Sequence, residues 1–212
     1  MIIAIDGPAA AGKGTLARRL ADHFDLAYLD TGLIYRAVSK KVVDGGGDPE
    51  SAANAETIAK ALTPEDLEME GLRTDEVAQL ASKVSTIQGV RSALLEFQRS
   101  FAERPPAGKC GAVLDGRDIG TVVCPTANLK LFVTAETKIR AERRFKELQN
   151  RGLEAIYARV LDDIRERDAR DSTRSASPLE PASDAYKLDT SALDPNQVFS
   201  KALELVRAVG IP

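Results

Sequence analysis

A glycine- and alanine-rich segment that ends in Lys-Gly-Thr carries the clearest chemical signal. It runs Gly7-Pro8-Ala9-Ala10-Ala11-Gly12-Lys13-Gly14-Thr15 and lies between an apolar run and a stretch with helical periodicity. In such a context backbone N–H groups turn towards phosphate oxygens, and the N-terminus of the following helix adds partial positive charge. Lys13 would supply a charge to the β- and γ-phosphates, and Thr15 a hydroxyl near a metal ion. We therefore predict a phosphate-binding loop for a nucleoside triphosphate.

The position after Lys13 departs from the common phosphate-loop pattern, because Gly14 stands where serine or threonine is usual. That hydroxyl ligates Mg²⁺ directly in many such proteins. Here we expect phosphate oxygens and water to hold the ion, as MgATP, with no direct protein ligand. Asp115, at the end of a predicted strand, is placed to orient the water shell.

Three further segments combine arginine with aspartate, a pattern suited to binding phosphate. They are Leu29–Arg36, Asp115–Thr121 and Glu166–Arg174. Planar guanidinium groups bind phosphate oxygens in a bidentate manner. An alternating run of Arg, Asp and Glu such as the third segment is, however, also typical of a solvent-exposed helix with ion pairs. From the residues alone both interpretations stay open.

Strands and helices alternate along the chain and must position these segments. Short apolar strands are predicted at Met1–Asp6, Ala27–Asp30, Ala112–Asp115, Leu129–Val133 and Tyr186–Asp189. Helices are predicted at Lys13–Phe24, Thr31–Val43 with Thr31 as cap, about Glu50–Leu62, Asp75–Ser85, Val90–Glu103, Lys138–Arg174 with a break at 150–152, and Asn196–Val209. The secondary structure of residues 63–74 is not indicated by any clear pattern. This alternation predicts an α/β sandwich of three layers, with a parallel sheet covered on both faces.

Composition narrows the class of protein. The 212 residues suit one domain, and 29 Lys and Arg against 32 Asp and Glu argue against a protein that coats nucleic acid. Two cysteines and one histidine are too few for a zinc cluster and fit a reducing cytosol. The sequence shows neither a transmembrane run nor a signal peptide. We expect a cytoplasmic monomer whose partners include no nucleic acid polymer and no membrane.

Several motifs resemble those of bacterial cytidylate kinases. Leu29–Arg36, Val90–Leu95, Asp115–Thr121 and Glu166–Arg174 follow in the order of that family along essentially the whole chain, and Gly-Lys-Gly-Thr resembles nucleoside monophosphate kinases. The resemblance implies a P-loop NTPase fold and a kinase that transfers the γ-phosphoryl group of ATP to CMP or dCMP. It implies no covalent intermediate, since the acceptor phosphate is itself the nucleophile.

The resemblance also implies roles for single residues. Arg36 and Arg117 would hold the acceptor phosphate and, with Lys13, form the catalytic set. Thr31 and Tyr35 belong to the same monophosphate site, where Tyr35 would stack near the acceptor or support Arg36. The residues implied around the cytosine are Ser82, Arg91, Asp118 and Arg174. The residues implied at the ribose are Arg167 and Asp171, which share a helical face because they lie four apart.

A division into three parts is implied as well. The core would comprise residues 1–44, 104–137 and 185–212, with an insert at about 45–103 over the monophosphate and an arginine-rich lid at about 138–184. The stretch between Thr63 and Thr74 is too short for the extra strands of the common bacterial insert, so we expect a reduced insert made of helices.

Two alternative functions stay open. An adenylate-kinase-like enzyme would carry Asp-Gly-Phe-Pro-Arg where this chain has Asp115-Gly-Arg-Asp118. A nucleotide-binding regulator with little turnover is the alternative from a different class.

Overall fold

Five parallel strands form one sheet in the computed structural model, which describes residues 1–49 and 51–210. The strands are β1 (Ile2–Asp6), β2 (Ala27–Asp30), β3 (Ala112–Gly116), β4 (Leu129–Thr134) and β5 (Tyr186–Asp189). Their order across the sheet is β2-β3-β1-β4-β5. Each lies within one residue of its predicted bounds, so the predicted parallel sheet is confirmed.

Helices connect the strands as the periodicity predicts. They are α1 (Lys13–His23), α2 (Thr31–Asp44), α3 (Ala52–Lys60), α4 (Asp75–Val84), α5 (Gln88–Glu103), α6 (Thr137–Asn150), α7 (Tyr157–Thr173) and α8 (Pro195–Ala208). Glu50, the predicted first residue of α3, lies outside the described residues, as do residues 211 and 212 of the predicted core. Among the described helices, none is both long and apolar enough to cross a bilayer.

One predicted cap is wrong. Thr31 is the first residue of α2, and Asp30 occupies the N-cap position without a capping side-chain bond. The Thr31 hydroxyl instead donates to the Asp115 carbonyl at 2.7 Å. A buried carbonyl on the neighbouring strand is thus the partner of this hydroxyl, and the bond joins α2 to the end of β3.

Apolar side chains cover the sheet on both faces, because successive strand residues point to opposite sides. On one face Ile3 and Ile5 pack with Leu16 and Leu20 of α1 and with α8. On the other face the strands pack against α2 and α5. The predicted three-layer α/β sandwich is confirmed.

Two further helical regions complete the fold, and α5 of the first also covers the sheet. Between residues 51 and 103, the described chain holds α3, α4, α5 and a 3-10 helix at Pro64–Glu68, and no strand. Helices α6 and α7 form a pair with its own apolar cluster around Leu148 and Ile164. Residues 151–156 separate them, a longer break than predicted, in which Gly152 has a φ of 71°.

The parallel strands bring the chemical segments together. The phosphate loop follows β1, α2 follows β2, Arg117 and Asp118 follow β3, and α6 follows β4. Because all strands run in the same direction, these segments meet at one edge of the sheet.

Candidate functional site

The phosphate loop joins β1 to α1 and depends on two special glycines. Gly7 has a φ of 147°, and a Cβ there would lie 1.9 Å from the Val133 carbonyl oxygen. Gly12 has a φ of 92° at the N-cap of α1. Both positions therefore require glycine, which tolerates these angles. Residues Ala9 to Thr15 of the predicted loop line the main cleft, whereas Gly7 and Pro8 precede them and are not part of its lining.

Lys13 lies buried within this loop. Its Nζ donates to the Pro8 carbonyl at 2.8 Å. Burial, followed by the positive charge of Arg117, lowers the pKa of Lys13 to about 7. A bound phosphate would favour the charged form, because an opposite charge nearby offsets both effects. The buried position and lowered pKa of Lys13 therefore suit a group that becomes fully charged when an anionic ligand binds.

Asp115 ends β3 beside the loop. Its Oδ2 accepts from the Tyr28 hydroxyl at 3.0 Å. Burial, followed by the negative charge of Asp30, raises the pKa of Asp115 to about 6. A Cβ at Gly14 would lie 3.3 Å from Asp115 Oδ2 and 3.5 Å from Tyr28 Oη. The unusual glycine thus leaves room for the Tyr28–Asp115 pair.

The residues present fit Mg²⁺ bound as MgATP. Among the described residues no group of three or more His, Cys, Asp or Glu side chains could hold an ion by itself. Mg²⁺ commonly takes one or two carboxylates together with substrate phosphates and water. Where phosphates and water hold the ion, the Asp115 carboxylate beside the loop would orient the water, and Thr15 adds an exposed hydroxyl near the start of α1.

Three arginines converge on the same cleft. Arg36, Arg117 and Arg167 line a cavity of about 1630 Å³ together with Lys13 and Asp115. Arg36 donates to the Leu72 carbonyl at 3.3 Å, and burial lowers its pKa. Burial, followed by the charge of Arg117, lowers the pKa of Arg167 to about 9. The cleft lining holds ten Lys and Arg against seven Asp and Glu, and this excess of positive charge favours an anionic ligand.

The two residues predicted at the ribose differ in their contacts within the chain. Asp171 accepts from Arg117 Nε at 2.7 Å, whereas Arg167 Nε is buried without a hydrogen-bond partner among the described residues. Burial raises the pKa of Asp171, but the charges of Arg117 and Arg167 outweigh it and hold the pKa below its usual range. Both predicted residues still face the same small cavity.

The residues predicted around cytosine line a second cavity of about 50 Å³, next to Thr31, Tyr35 and Arg117. The four predicted members brought together here are Ser82, Arg91, Asp118 and Arg174. Arg91 Nη2 donates to Asp118, whose other carboxylate oxygen lies 3.9 Å from Arg174 Nη2. Arg91 Nε and Arg174 Nη2 have no hydrogen-bond partner within the described chain. The cavity is thus lined by two arginines that each keep an unpartnered donor, and by the carboxylates of Asp118 and Asp171.

Tyr35 has an arginine over its ring. The guanidinium over its ring is that of Arg91, 5.7 Å from the ring centroid. Tyr35 therefore packs against Arg91 in the lining of the small cavity, and its stacking near the acceptor or its support of Arg36 stays a prediction.

Sequence reasoning missed Asp6 and Arg170. Asp6 ends β1, and its carboxylate accepts from the backbone N–H groups of Ile119 and Gly120 at 2.8 and 2.7 Å. It anchors the π-helix Ile119–Val123, which directly follows Asp118. Arg170 donates to Ser82 Oγ at 3.2 Å. An aspartate directly before a phosphate loop was an available signal for Asp6, whereas the run of alternating charges hid Arg170.

Helices α6 and α7 touch α4 across the cleft. Arg144 pairs with Asp75, and Arg170 Nη2 donates to Gln79 Oε1 at 3.1 Å. Arg151 also donates to the Arg73 carbonyl at 3.1 Å. These polar contacts join the α6–α7 pair to α4 and to Arg73, and most of the residues that make them line the cleft.

Comparison with known proteins agrees with this geometry. The family model described as Cytidylate kinase matches residues 3–208. A cytidylate kinase of Paramagnetospirillum magneticum is 64% identical over 205 residues, 97% of each chain. One from Xanthobacter autotrophicus is 56% identical over 208 residues, 98% of each chain. The crystal structure of an uncharacterized protein from Eubacterium ventriosum, 15% identical with a TM-score of 0.57 over 98% of each chain, shares the fold alone. The chain therefore belongs to the cytidylate kinase family.

Proposed function

We propose that this chain transfers the γ-phosphoryl group of ATP to CMP or dCMP with the residues described above. The observation that carries the proposal is the convergence of Lys13 with Arg36, Arg117 and Arg167 on one cleft. The family's name and the high identity to cytidylate kinases support CMP as the acceptor. A monomeric state and a cytoplasmic location stay predictions of the sequence.

Phosphoryl transfer is mostly positioning and charge stabilisation. In the proposed arrangement, the loop and Lys13 hold the donor phosphates, and Arg36 and Arg117 hold the acceptor phosphate. Bound Mg²⁺ supplies charge neutralisation for the donor phosphates. Asp115, fixed by Tyr28, orients the water around the ion. Each positive group lies where charge develops in the transition state, so each lowers the barrier.

Base recognition uses the small cavity. Arg91 Nε and Arg174 Nη2 would donate to the O2 and N3 acceptors of cytosine, and Asp118 would accept from the exocyclic amine. Ser82 would lie at the edge of the base, held by Arg170. Arg167 and Asp171 would contact the ribose. The two unpartnered donors support this assignment, because buried donors without partners are costly and rare.

Base choice gives the test of the proposed function. Uracil replaces the amine donor with a carbonyl and adds a proton at N3, so Asp118 would face an acceptor and an arginine would face a donor. Each unpaired buried group costs roughly 1–3 kcal/mol, so kcat/KM for CMP should exceed that for UMP at least about tenfold. A coupled assay of ADP release over CMP, dCMP, UMP and AMP measures this. Equal rates with all four, or no release at all, would contradict the proposal.

The chain divides, in this proposal, into a core (1–44, 104–137 and 185–212), a helical insert (about 45–103) and a lid (about 138–184). The contacts of Arg144 and Arg170 with α4 support a lid that meets the insert over the cleft. The absence of strands from the described part of the insert fits its reduced size.

Closure of the lid gives a second expected result. Residues 138–174 hold eleven Lys and Arg against eight Asp and Glu, so this segment is net positive in a chain of charge −3. Anionic substrates should draw the segment closed and exclude water. Amide hydrogen exchange should slow across residues 138–174 when a bisubstrate analogue binds, and slow less in β1. Exchange that is already slow without ligand and does not change would show a static lid.

A further inference from the structure

Arg140 has every donor of its guanidinium occupied. It lies in the first turn of α6 and is 4% exposed. Nε donates to the Ala135 carbonyl at 2.9 Å, and Nη2 donates to Thr137 Oγ1 at 3.0 Å. Nη1 donates to the Ala9 carbonyl at 3.3 Å. Asp168 accepts from Nη1 and Nη2 at 3.0 and 2.6 Å, in a bidentate pair.

These bonds join two parts of the proposed active site. Ala9 belongs to the phosphate loop and precedes Ala10, which has a φ of 58°. Asp168 belongs to α7, directly after Arg167 and three residues before Asp171. The Arg140 side chain therefore links the loop that would hold ATP to the helix that would contact the acceptor nucleotide.

We propose that Arg140 and Asp168 are a positioning pair that sets the acceptor contacts of α7 at a fixed place relative to the phosphate loop. The proposal rests on the roles proposed above for the loop, Arg167 and Asp171. Neither Arg140 nor Asp168 needs to touch a substrate for this purpose. In-line transfer requires close alignment of the two substrates, and a shift of about 1 Å can cost on the order of a hundredfold in rate.

The chemistry of the contact explains why arginine is needed. Lysine offers one nitrogen and a compact charge, so it would reach some of these acceptors but lose the planar fork on Asp168. Asparagine at position 168 would keep the size but turn an NH₂ group towards Nη1 or Nη2 of Arg140. Both substitutions keep the side chain at a similar size, and both disturb the hydrogen bonds between Arg140 and Asp168.

Two single variants and their combination test the proposal. For Arg140→Lys and Asp168→Asn, we expect the Kd of CMP and of a nonhydrolysable ATP analogue, each measured alone by calorimetry, to change less than about threefold. We expect kcat at saturation to fall at least about tenfold. The double variant should be no slower than the slower single variant, because both changes break the same contact.

Arg165→Lys is the matched control. Arg165 lies on α7, is exposed and pairs only with Asp162 among the contacts described. The kcat of this variant should equal that of the wild type.

A second measurement does not depend on turnover. Binding of the ATP analogue alone should slow hydrogen exchange in α7 of the wild type, and this slowing should be lost in Arg140→Lys. Unchanged kcat in both single variants, additive losses, or slowing of exchange that persists in the variant would overturn the positioning role. So would a drop in melting temperature with kcat unchanged below that temperature. A wild type that shows the slowing but releases no ADP with CMP would overturn the proposed function and leave the link between loop and α7 supported.

Discussion

Replacement of Lys13 by methionine is expected to lower kcat with CMP by about a hundredfold or more, on the order of 3 kcal/mol or above. Methionine keeps the length of the side chain but removes the charge nearest the transferred phosphoryl group. Lys13 is the one lysine in residues 7–15, and its buried Nζ is held by the Pro8 carbonyl, so the loop has no second ammonium to replace it. Steady-state kinetics at saturating MgATP and CMP measure the loss.

A matched control distinguishes the loss of a positive charge in the cleft from the loss of a positive charge elsewhere on the protein. Lys187 is an exposed lysine of β5, and Lys187→Met makes the same chemical change away from the cleft. Its kcat should stay near that of the wild type. Near-normal kcat in Lys13→Met, with a melting temperature equal to the wild type, would show that this loop does not hold the donor phosphates.

Replacement of Arg117 by methionine is expected to reduce kcat/KM for CMP by about a hundredfold or more. A hydrogen bond to a charged group contributes roughly 1.5–3 kcal/mol, and the variant loses the proposed bond to the acceptor phosphate. It also leaves Asp171 buried without the Nε donor at 2.7 Å, which disturbs the ribose contact. Kinetics with CMP varied at saturating MgATP measure the effect.

Two comparisons make this result interpretable. Arg117→Lys keeps the charge but not the fork, so its loss should be smaller than that of methionine. Arg104→Met removes an exposed arginine at the end of α5, which bonds to Ser100, and should leave kcat/KM unchanged. Because an unpaired Asp171 also destabilises the fold, thermal melting of each variant must accompany the kinetics. Normal kcat/KM in a folded Arg117→Met would place the acceptor phosphate elsewhere.

Local patterns in the sequence determined most of the secondary structure. The strand Ala27–Asp30 and the helix beginning at Lys13 follow from β-branched or apolar runs and from apolar residues at helical spacing. The phosphate loop follows from its glycines and its place between strand and helix. These features depend on residues that are close together in the sequence, so they can be predicted without knowledge of the tertiary structure. Residues 63–74 lack such a pattern, so the sequence does not predict the 3-10 helix at Pro64–Glu68.

The partner of each charged side chain was decided by the tertiary structure. Asp171 pairs with Arg117, 54 residues away, instead of forming a pair with the nearby Arg167. Asp6 holds Gly120, 114 residues away, and Asp118 pairs with Arg91. The reason is the parallel sheet, which places the ends of β1 and β3 side by side and lets α5 and α7 reach them. The sequence by itself determined which charged residues follow the strands at this edge of the sheet. Which of these residues form pairs was decided by the fold, because the partners are far apart in the sequence and only the tertiary structure sets the distance between them.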